Sequence, residues 1–464
     1  MLTIASVVLR SATLARAMEP RYLIRTFGCQ MNEHDSERIG GVLMAAGMTP
    51  TEDVDEARVV VFNTCAIREN ADNRLYGNLG HLKPLKDRNP DLRIVVAGCL
   101  AQKDQGLIQS KAPWVDVVVG THALPHLLDL LERAGSEGSQ MDVREYTETF
   151  PSALPAARQD DFRAWVSIAT GCDNACSFCI VPFVRGPQRS RAIGDVLAEV
   201  QGLAARGVVE VTLLGQNVNT YGRDVTVEGS SRRPLFADLL RMVNEVDGLR
   251  RIRFTSPHPH DFTPDVIDAM AESDGVCEHI HFPLQSGSDA VLKAMQRSYR
   301  RDRYLEWLEA IRAAVPGIAV STDVIVGFPG ETERDFAETL DLVGQARFDS
   351  AFMFQYSPRP GTRAASMEHQ VPKEVVQDRF DRLLDLQDRI SLERGRAQVG
   401  TTVEVLVEGA GKKGDSTQSR TRTNRIVHLA EPLDPGTFAW ARITDAAAHH
   451  LAGVVAPTAE ALAV

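Results

Sequence analysis

Short β-rich runs alternate with amphipathic helical stretches along most of the chain, and this alternation constrains the fold more than any other feature. Four such runs occur early in the sequence: Tyr22–Phe27, Arg58–Phe62, Arg93–Ala97 and Val115–Val119. Strand–helix alternation of this kind predicts a parallel sheet with helices on both faces. We therefore predict a doubly wound α/β domain over residues 21–133.

The alternation resumes at residue 163 and predicts a second α/β domain. Six further β-rich runs are separated by helical patterns: Trp165–Ala169, Val208–Leu214, Arg250–Thr255, His279–Leu284, Ile318–Val326 and Ser350–Gln355. Six β/α units fall short of a closed eight-stranded barrel. We predict a partial (β/α)6 barrel over residues 163–396 that ends in a long polar helix at 373–396.

The remaining segments differ in composition from both α/β domains. Residues 134–162 are rich in Gly, Ser, Pro and charge without periodicity, which predicts an interdomain linker. Short β-rich runs after Gly400 predict a small all-β module at 397–455, most simply a barrel of the OB type. Residues 1–20 have a composition compatible with a transit peptide, but we interpret them as a disordered extension and 456–464 as a tail.

Charge and cysteine usage narrow the classes of function. The formal net charge of −11 over 464 residues argues against non-specific coating of nucleic acid, but is compatible with an RNA held by a local basic patch. No apolar run approaches the length of a membrane span, so we expect a soluble, cytoplasmic protein. Seven cysteines without an export signal favour metal-binding or catalytic roles over disulfides.

Three cysteines, Cys172, Cys176 and Cys179, lie on the loop GCDNACSFC directly after the first predicted strand of the middle domain. Three thiolates can bind three corners of a 4Fe–4S cube and leave the fourth iron open to a ligand. Structural zinc is the alternative, but it requires four protein ligands and the loop offers three. Cys277 precedes a strand, where a lone cysteine is more often a small buried hydrophobe than a fourth ligand.

Three other cysteines share a common position relative to predicted strands. Cys29, Cys65 and Cys99 follow strands of the first domain by one or two residues, in FGC, NTC and AGC. Open α/β sheets bind ligands at the carboxyl ends of their strands, so we expect these thiols to converge there. Unrelated buried cysteines are the alternative, but the shared register favours a second metal site, again a cube with one open iron.

Polar side chains at other strand ends of the middle domain are candidates for cofactor binding. Turn formation is the alternative reading for Asn and Ser, whereas Gln is a poor turn former. The run GFPGET lacks the lysine of a phosphate loop. The candidates are Gln216 and Asn217 in LLGQNVNTYG, Gln285 and Ser286 in FPLQSGSD, and Asp323 in STDVIVGFPGET.

Basic residues form two local clusters against the negative net charge. Such runs are commonly solvated faces, but a local reversal of sign is also where an RNA backbone would bind. The RNA-contact candidates are Arg185, Arg189 and Arg191 beyond the first cysteine loop, and Lys412, Lys413, Arg420, Arg422 and Arg425 around Asp415 in the last module.

The CDNACSFC loop resembles that of radical S-adenosylmethionine enzymes. Cys29, Cys65 and Cys99 resemble the ligands of the second cluster in the methylthiotransferases of that superfamily, and the last module resembles their TRAM domain. The resemblance covers residues from about Arg21 to Val455. It implies two 4Fe–4S clusters, S-adenosylmethionine as cofactor and tRNA as substrate, together with a flavodoxin- or ferredoxin-like electron donor, a donor of sulfur or cluster, and a monomeric enzyme.

Local motifs are similar to one branch of that family, which acts on isopentenylated adenosine beside the anticodon. The motifs are TFGCQMNEHDSE, NTCAIRENADNRLYGNLG and GQNVNTYG. The branches that act on threonylcarbamoyladenosine or on a ribosomal-protein aspartate differ at Gln30 and Met31 and after Cys65. One departure is DPGTFAWARITDAAAHHLAG, which is looser than the family's TRAM pattern and leaves its RNA contacts open.

The resemblance implies conversion of N6-dimethylallyladenosine in tRNA to its 2-methylthio form. One S-adenosylmethionine would methylate a sulfur on the second cluster, and another would supply the radical that abstracts hydrogen from C2. A radical route fits the chemistry, because no side-chain base removes the non-acidic C2 proton at neutral pH. An unstacked base also fits a single-stranded anticodon loop. A zinc-bearing RNA-binding protein without catalysis remains the alternative from another class.

Overall fold

The structure is a computed structural model that describes residues 20–66, 69–144, 150, 154–225, 233–411 and 416–457, without the side chains of 69–73. The chain divides into two compact units, Met1–Arg158 and Gln159–Val464. Three predicted features lie outside the described residues: most of the extension (1–19), the basic pair Lys412 and Lys413 with Asp415, and the end of the tail (458–464).

The first unit contains a six-stranded sheet. Its strands are β1 (Arg21–Phe27), β2 (Thr49–Pro50), β3 (Ala57–Thr64), β4 (Arg93–Gly98), β5 (Val117–Val119) and β6 (Gln140–Asp142). Its helices are α1 (Gln30–Ala45), α2 (Glu69–Arg88), α3 (Cys99–Asp104), α4 (Gly106–Lys111) and α5 (Leu127–Ser136). All neighbouring strands are parallel, in the order β2-β1-β3-β4-β5-β6.

Helices cover both faces of this sheet. Ile39 of α1 and Leu130 of α5 pack on one face, while Leu79 of α2 and Ile108 of α4 pack on the other. The doubly wound α/β fold predicted for this part of the chain is therefore confirmed. Because β2 and β3 lie on opposite sides of β1, the strand order reverses between β1 and β3, and such a reversal leaves a crevice at the carboxyl ends of the strands.

The predicted linker at 134–162 requires correction at its start. Residues 134–136 belong to α5, and Gln140–Asp142 form the edge strand β6. This strand is held by backbone bonds such as Gly120 N to Asp142 O at 2.9 Å. A three-residue edge strand buries little side-chain surface, so its sequence carries no hydrophobic alternation that could have indicated it.

The second unit begins with six parallel strands in a partial barrel. They are β7 (Arg163–Ser167), β10 (Glu210–Leu214), β11 (Arg251–Phe254), β12 (His279–His281), β13 (Ala319–Val326) and β14 (Ser350–Gln355). They form two sheets, β7-β10-β11 and β12-β13-β14, joined by a parallel bridge between Ile252 and Val276. A short antiparallel pair, β8 (Ala169–Thr170) and β9 (Arg189–Ser190), lies beside them. The predicted partial barrel is confirmed.

The helices of this unit connect the strands. They are α6 (Val181–Arg185), α7 (Ile193–Ala204), α8 (Phe236–Asn244), α9 (Pro264–Glu272), α10 (Asp289–Ala294), α11 (Arg301–Ala314), α12 (Glu333–Ala346) and α13 (Lys373–Arg396). Short 3₁₀ turns occur at Val218–Thr220, Pro259–Asp261 and Arg363–Ser366 in this unit, and at Leu124–His126 in the first unit. Among the described residues, no helix combines the length and apolar character needed to cross a membrane.

Strand β12 is shorter than the predicted run His279–Leu284. The backbone N–H of Leu284 donates to the Thr322 hydroxyl at 2.9 Å instead of to a ladder carbonyl. Gln285 then adopts a left-handed backbone with φ of +67°. The apolar pattern continues past the strand because Phe282 and Leu284 remain buried.

The last module is a closed five-stranded barrel in the order β15-β16-β17-β19-β18. Its strands are β15 (Thr402–Ala410), β16 (Thr417–Thr421), β17 (Ile426–Leu429), β18 (Phe438–Ala446) and β19 (Leu451–Val455). Strand β16 has no apolar alternation because its buried positions are Thr417, Ser419 and Thr421. Their hydroxyls are bonded internally, as in Ser419 Oγ to Val427 O at 2.9 Å.

Buried arginines attach this barrel to the partial barrel. Arg251, at the start of β11, has no exposed surface and donates to Arg420 O at 2.9 Å and to Glu404 Oε1 at 3.0 Å. Arg253 donates to Arg422 O and Thr421 O, both at 2.9 Å. The C-terminal barrel therefore covers the amino ends of the partial-barrel strands.

Arginines of the C-terminal barrel make the reciprocal contacts. Arg422 pairs with Glu278 at 2.8 Å, just before β12, and Arg425 pairs with Asp349 at 2.8 Å, just before β14. Arg420 pairs with Glu408 within the C-terminal barrel itself, at 2.6 Å. These three arginines are RNA-contact candidates, and each makes an ion pair within the chain.

Replacement of Arg251 tests this attachment. We expect Arg251→Leu to lower the free energy of unfolding by about 3 kcal/mol, because it removes a fully buried guanidinium and with it the donor to Arg420 O and Glu404 Oε1. Urea unfolding followed by circular dichroism measures the change. The half-exposed neighbour Arg250, which also pairs with Glu404, is the matched control. Arg250→Leu should cost less than about 1 kcal/mol, and equal effects of the two changes would contradict the assignment.

Candidate functional site

The cysteine loop of the second unit lies between β8 and α6, on the carboxyl side of the strands. Its entry requires glycine, because Gly171 has φ of +77° and an added Cβ would lie 2.0 Å from Pro187 O. Its middle is attached to the end of α10, where Ser177 N donates to Met295 O at 3.0 Å and Ser177 Oγ donates to Ala294 O at 2.9 Å. The backbone of this loop is thus held at both its entry and its middle.

The three thiols of this loop interact with one another. Burial raises the pKa of Cys172, and the neighbouring Cys176 adds to the effect. Burial likewise raises the pKa of Cys179 to about 12, with further contributions from Cys176 and Cys172. Clustered thiols of this kind become thiolates readily only beside strong positive charge, which iron ions supply.

Arg297 is a functional candidate that sequence reasoning missed. Its Nη1 atom donates to Cys176 Sγ at 3.4 Å, and its Nε atom donates to the Tyr299 hydroxyl at 3.2 Å. Tyr299 in turn donates to Leu284 O at 2.7 Å. Arg297 lies 121 positions beyond Cys176 in the sequence, so no local motif connects the two residues.

Unsatisfied polar atoms mark a second part of this site, at the ends of β10 and β11. Asn217 Nδ2 donates to Asp261 Oδ2 at 2.8 Å, while Asn217 Oδ1 and Gln216 Oε1 are buried and make no hydrogen bond. His258 Nε2 is a third such atom. Burial, assisted by Arg297, lowers the pKa of His258 to about 2, so its ring is neutral. Buried polar atoms without partners are rare and suit a polar ligand.

The other predicted cofactor residues have different surroundings. Gln285 N donates to Asp323 O at 2.8 Å, which joins the two predicted strand ends. Ser286 is fully buried, and its hydroxyl lies 3.2 Å from Thr339 Oγ1 of α12. This contact attaches the turn that contains Ser286 to α12. The Asp323 carboxylate lies 3.3 Å from His281 Nε2.

The predicted basic cluster beyond the loop is largely internal. Arg191 is buried and donates to Glu199 Oε2 at 2.7 Å and to Ser167 O at 2.8 Å. Arg185 is also buried, and Arg189 lies half-buried in β9. An RNA-contact role for Arg191 would therefore require its ion pair to open.

The cysteines of the first unit lie on neighbouring strands. The strand register aligns Phe27 of β1 with Thr64 of β3, and Thr64 with Gly98 of β4. Cys65 directly follows β3 and its N–H donates to Phe27 O at 2.8 Å. Cys29 precedes the first residue of α1, and Cys99 is the first residue of α3. All three cysteines therefore lie just beyond the carboxyl ends of their strands, beside the point where the strand order reverses.

A buried amide pair joins these strand ends. Asn32 and Asn63 have no exposed surface, and Asn32 Nδ2 donates to Asn63 Oδ1 at 3.2 Å. Asn32 Oδ1 lies 3.4 Å from both the backbone nitrogen and Sγ of Cys29. Gly98, with φ of +88°, leaves room for the pair, since an added Cβ would lie 2.3 Å from Asn63 Oδ1. The pair therefore bonds the backbone beside Cys29 and Cys65 and packs closely on Gly98, beside Cys99.

Both cysteine sets offer three thiols on backbone positions that are fixed by other contacts. No three His, Cys, Asp or Glu side chains among the described residues are placed to hold a single metal ion. In a 4Fe–4S cube each thiolate binds a different iron, so three thiolates suit three corners.

Asn63 provides a test of the first cysteine set. We expect Asn63→Leu to lower the iron bound per chain by about half, since the other set is untouched and each cube holds four irons. Iron analysis of anaerobically purified protein measures this. Asn244, which bonds Gly275 N at 2.8 Å in the other unit, is the control, and Asn244→Leu should keep all the iron. Full iron in the Asn63 variant would show that the amide pair does not position these cysteines.

Comparisons with known proteins agree with this arrangement. Residues 21–120 match the uncharacterized protein family UPF0004, residues 166–343 the radical SAM superfamily and residues 396–456 the TRAM domain. A solved radical S-adenosylmethionine methyltransferase, TsrM from Kitasatospora setae, shares the fold with a TM-score of 0.53 at 15% identity, covering 75% of this chain and 77% of that one.

Closer relatives extend over nearly the full chain. A tRNA-2-methylthio-N(6)-dimethylallyladenosine synthase of Nocardia farcinica is 57% identical, covering 93% of this chain and 88% of the relative. A protein of the same name from Streptomyces viridosporus is 56% identical, covering 93% and 86%. The chain therefore belongs to the tRNA-2-methylthio-N(6)-dimethylallyladenosine synthase family of radical S-adenosylmethionine enzymes.

Proposed function

We propose that this protein methylthiolates C2 of N6-dimethylallyladenosine next to the anticodon of tRNA, giving 2-methylthio-N6-dimethylallyladenosine. The observation that carries the proposal is the pair of three-cysteine sets, each at the carboxyl ends of parallel strands, in a chain 57% identical to a synthase of that name. When bound at the two sets, 4Fe–4S clusters supply the electron that cleaves S-adenosylmethionine and the iron site that handles sulfur.

The residues of the chain have separate tasks in this scheme. Cys172, Cys176 and Cys179 bind three irons and leave one open, and the Arg297 guanidinium stabilises the thiolate of Cys176 by a charge-assisted hydrogen bond. Gln216 and Asn217 offer their unsatisfied oxygens to the polar groups of S-adenosylmethionine. Cys29, Cys65 and Cys99 hold the second cluster.

Several partners follow from the same proposal. tRNA is the substrate, and a flavodoxin- or ferredoxin-like protein supplies electrons. A separate donor restores the sulfur or the cluster that each turnover consumes. We further propose that the enzyme acts as a monomer in the cytoplasm.

Substitution of each cysteine set should separate the two tasks. Replacing Cys172, Cys176 and Cys179 with Ala should abolish S-adenosylmethionine cleavage, because the open iron is lost. Replacing Cys29, Cys65 and Cys99 with Ala should preserve cleavage and abolish sulfur insertion. Chromatography of 5′-deoxyadenosine and of digested tRNA measures both, with Cys277→Ala as the control. Thiolation that survives loss of the second set would refute its assignment.

Nucleoside mass spectrometry identifies the substrate. In tRNA from cells that lack this protein, we expect 2-methylthio-N6-dimethylallyladenosine to disappear and N6-dimethylallyladenosine to accumulate. Loss of the methylthio form of threonylcarbamoyladenosine, or of a methylthiolated ribosomal-protein aspartate, would indicate one of the other branches. A colourless, zinc-loaded protein with no effect on tRNA would indicate a non-catalytic RNA-binding protein.

A further inference from the structure

Strand β14 exposes two large aromatic side chains at one edge of the partial barrel. Phe352 is 55% exposed and Phe354 is 38% exposed, two positions apart on the same face of the strand. Between them, Met353 points the opposite way and packs on the core with Leu383 and Ile390 of α13. Solvent-facing positions of a strand normally carry polar residues, so this pair of exposed phenylalanines indicates a binding surface.

The exposed face is the interior of the partial barrel. Phe352 pairs with Asp323 of β13, and its ring centroid lies 5.8 Å from that of His281 on β12. The opposite face of β13 carries Val320 and Val324, which are fully buried in the helix-covered core. Phe352, Asp323 and His281 therefore line the same side of three neighbouring strands.

This interior face continues toward the cysteine loop. Phe354 pairs with Ile325 of β13. Ile325 and Phe178, which directly precedes Cys179, pack against one group of buried side chains. The two phenylalanines therefore lie on a surface that leads to the loop at which the radical would be made.

We propose that Phe352 and Phe354 hold the dimethylallyl-bearing adenine of the substrate and select it over threonylcarbamoyladenosine, an assignment that rests on the proposed function. An apolar five-carbon substituent suits two aromatic faces. The adenine ring can stack on His281, whose ring lies beside that of Phe352. A threonylcarbamoyl group would instead bring its carboxylate beside that of Asp323, which disfavours it by like-charge repulsion.

Direct binding tests this assignment without catalysis. Reconstituted full-length protein, without S-adenosylmethionine, is titrated with fluorescent anticodon stem-loop RNA whose target adenosine is unmodified, dimethylallylated or threonylcarbamoylated. We expect the dimethylallyl RNA to bind about tenfold more tightly than the unmodified RNA. The double change Phe352→Ala and Phe354→Ala should remove that preference, and Asp323→Asn should improve binding of the threonylcarbamoyl RNA alone.

Met242→Ala is the control, since Met242 is an apolar side chain, 44% exposed, on the outer helix α8, and its loss should leave the preference intact. Circular dichroism confirms folding, and the single changes Phe352→Ser and Phe354→Ser provide independent variants. A preference that persists in the double variant would overturn the assignment. Absence of thiolation of dimethylallyl tRNA by the unchanged enzyme would instead refute the proposed function.

Discussion

The carboxyl ends of parallel strands determine where the reactive groups of this protein lie. In a parallel sheet the side chains that follow neighbouring strands emerge at one edge, and this edge is where open α/β sheets bind ligands. The register Phe27, Thr64, Gly98 brings three cysteines to such an edge in the first unit. In the second unit, the loop after β8 carries three cysteines within one short segment on the carboxyl side of the strands.

Contacts with other parts of the same unit fix the backbone at both cysteine sets. The Asn32–Asn63 pair and the space at Gly98 secure the first set. The bonds of Ser177 to the end of α10 secure the second. Arg297 adds a cation beside Cys176, and the unsatisfied atoms of Gln216, Asn217 and His258 leave polar positions for a cofactor.

Sequence patterns indicated the strand–helix order, both cysteine sets and the three domains, because hydrophobic periodicity and the residues after strands are local features. Arg297 and Asn63 were not singled out, since their roles depend on contacts across the sheet or with a distant loop. Arg420, Arg422 and Arg425 are candidates for RNA contact on the basis of local charge alone. Their partners Glu408, Glu278 and Asp349 become neighbours only in the folded chain.

The number of irons per chain tests the central claim most directly. Protein purified without oxygen, reconstituted with iron and sulfide, and measured by iron analysis and Mössbauer spectroscopy should contain about eight irons, all in cubes, with four at each three-thiolate site. About four irons in the unchanged protein, with no further loss when Cys29, Cys65 and Cys99 are replaced, would contradict the account of two clusters.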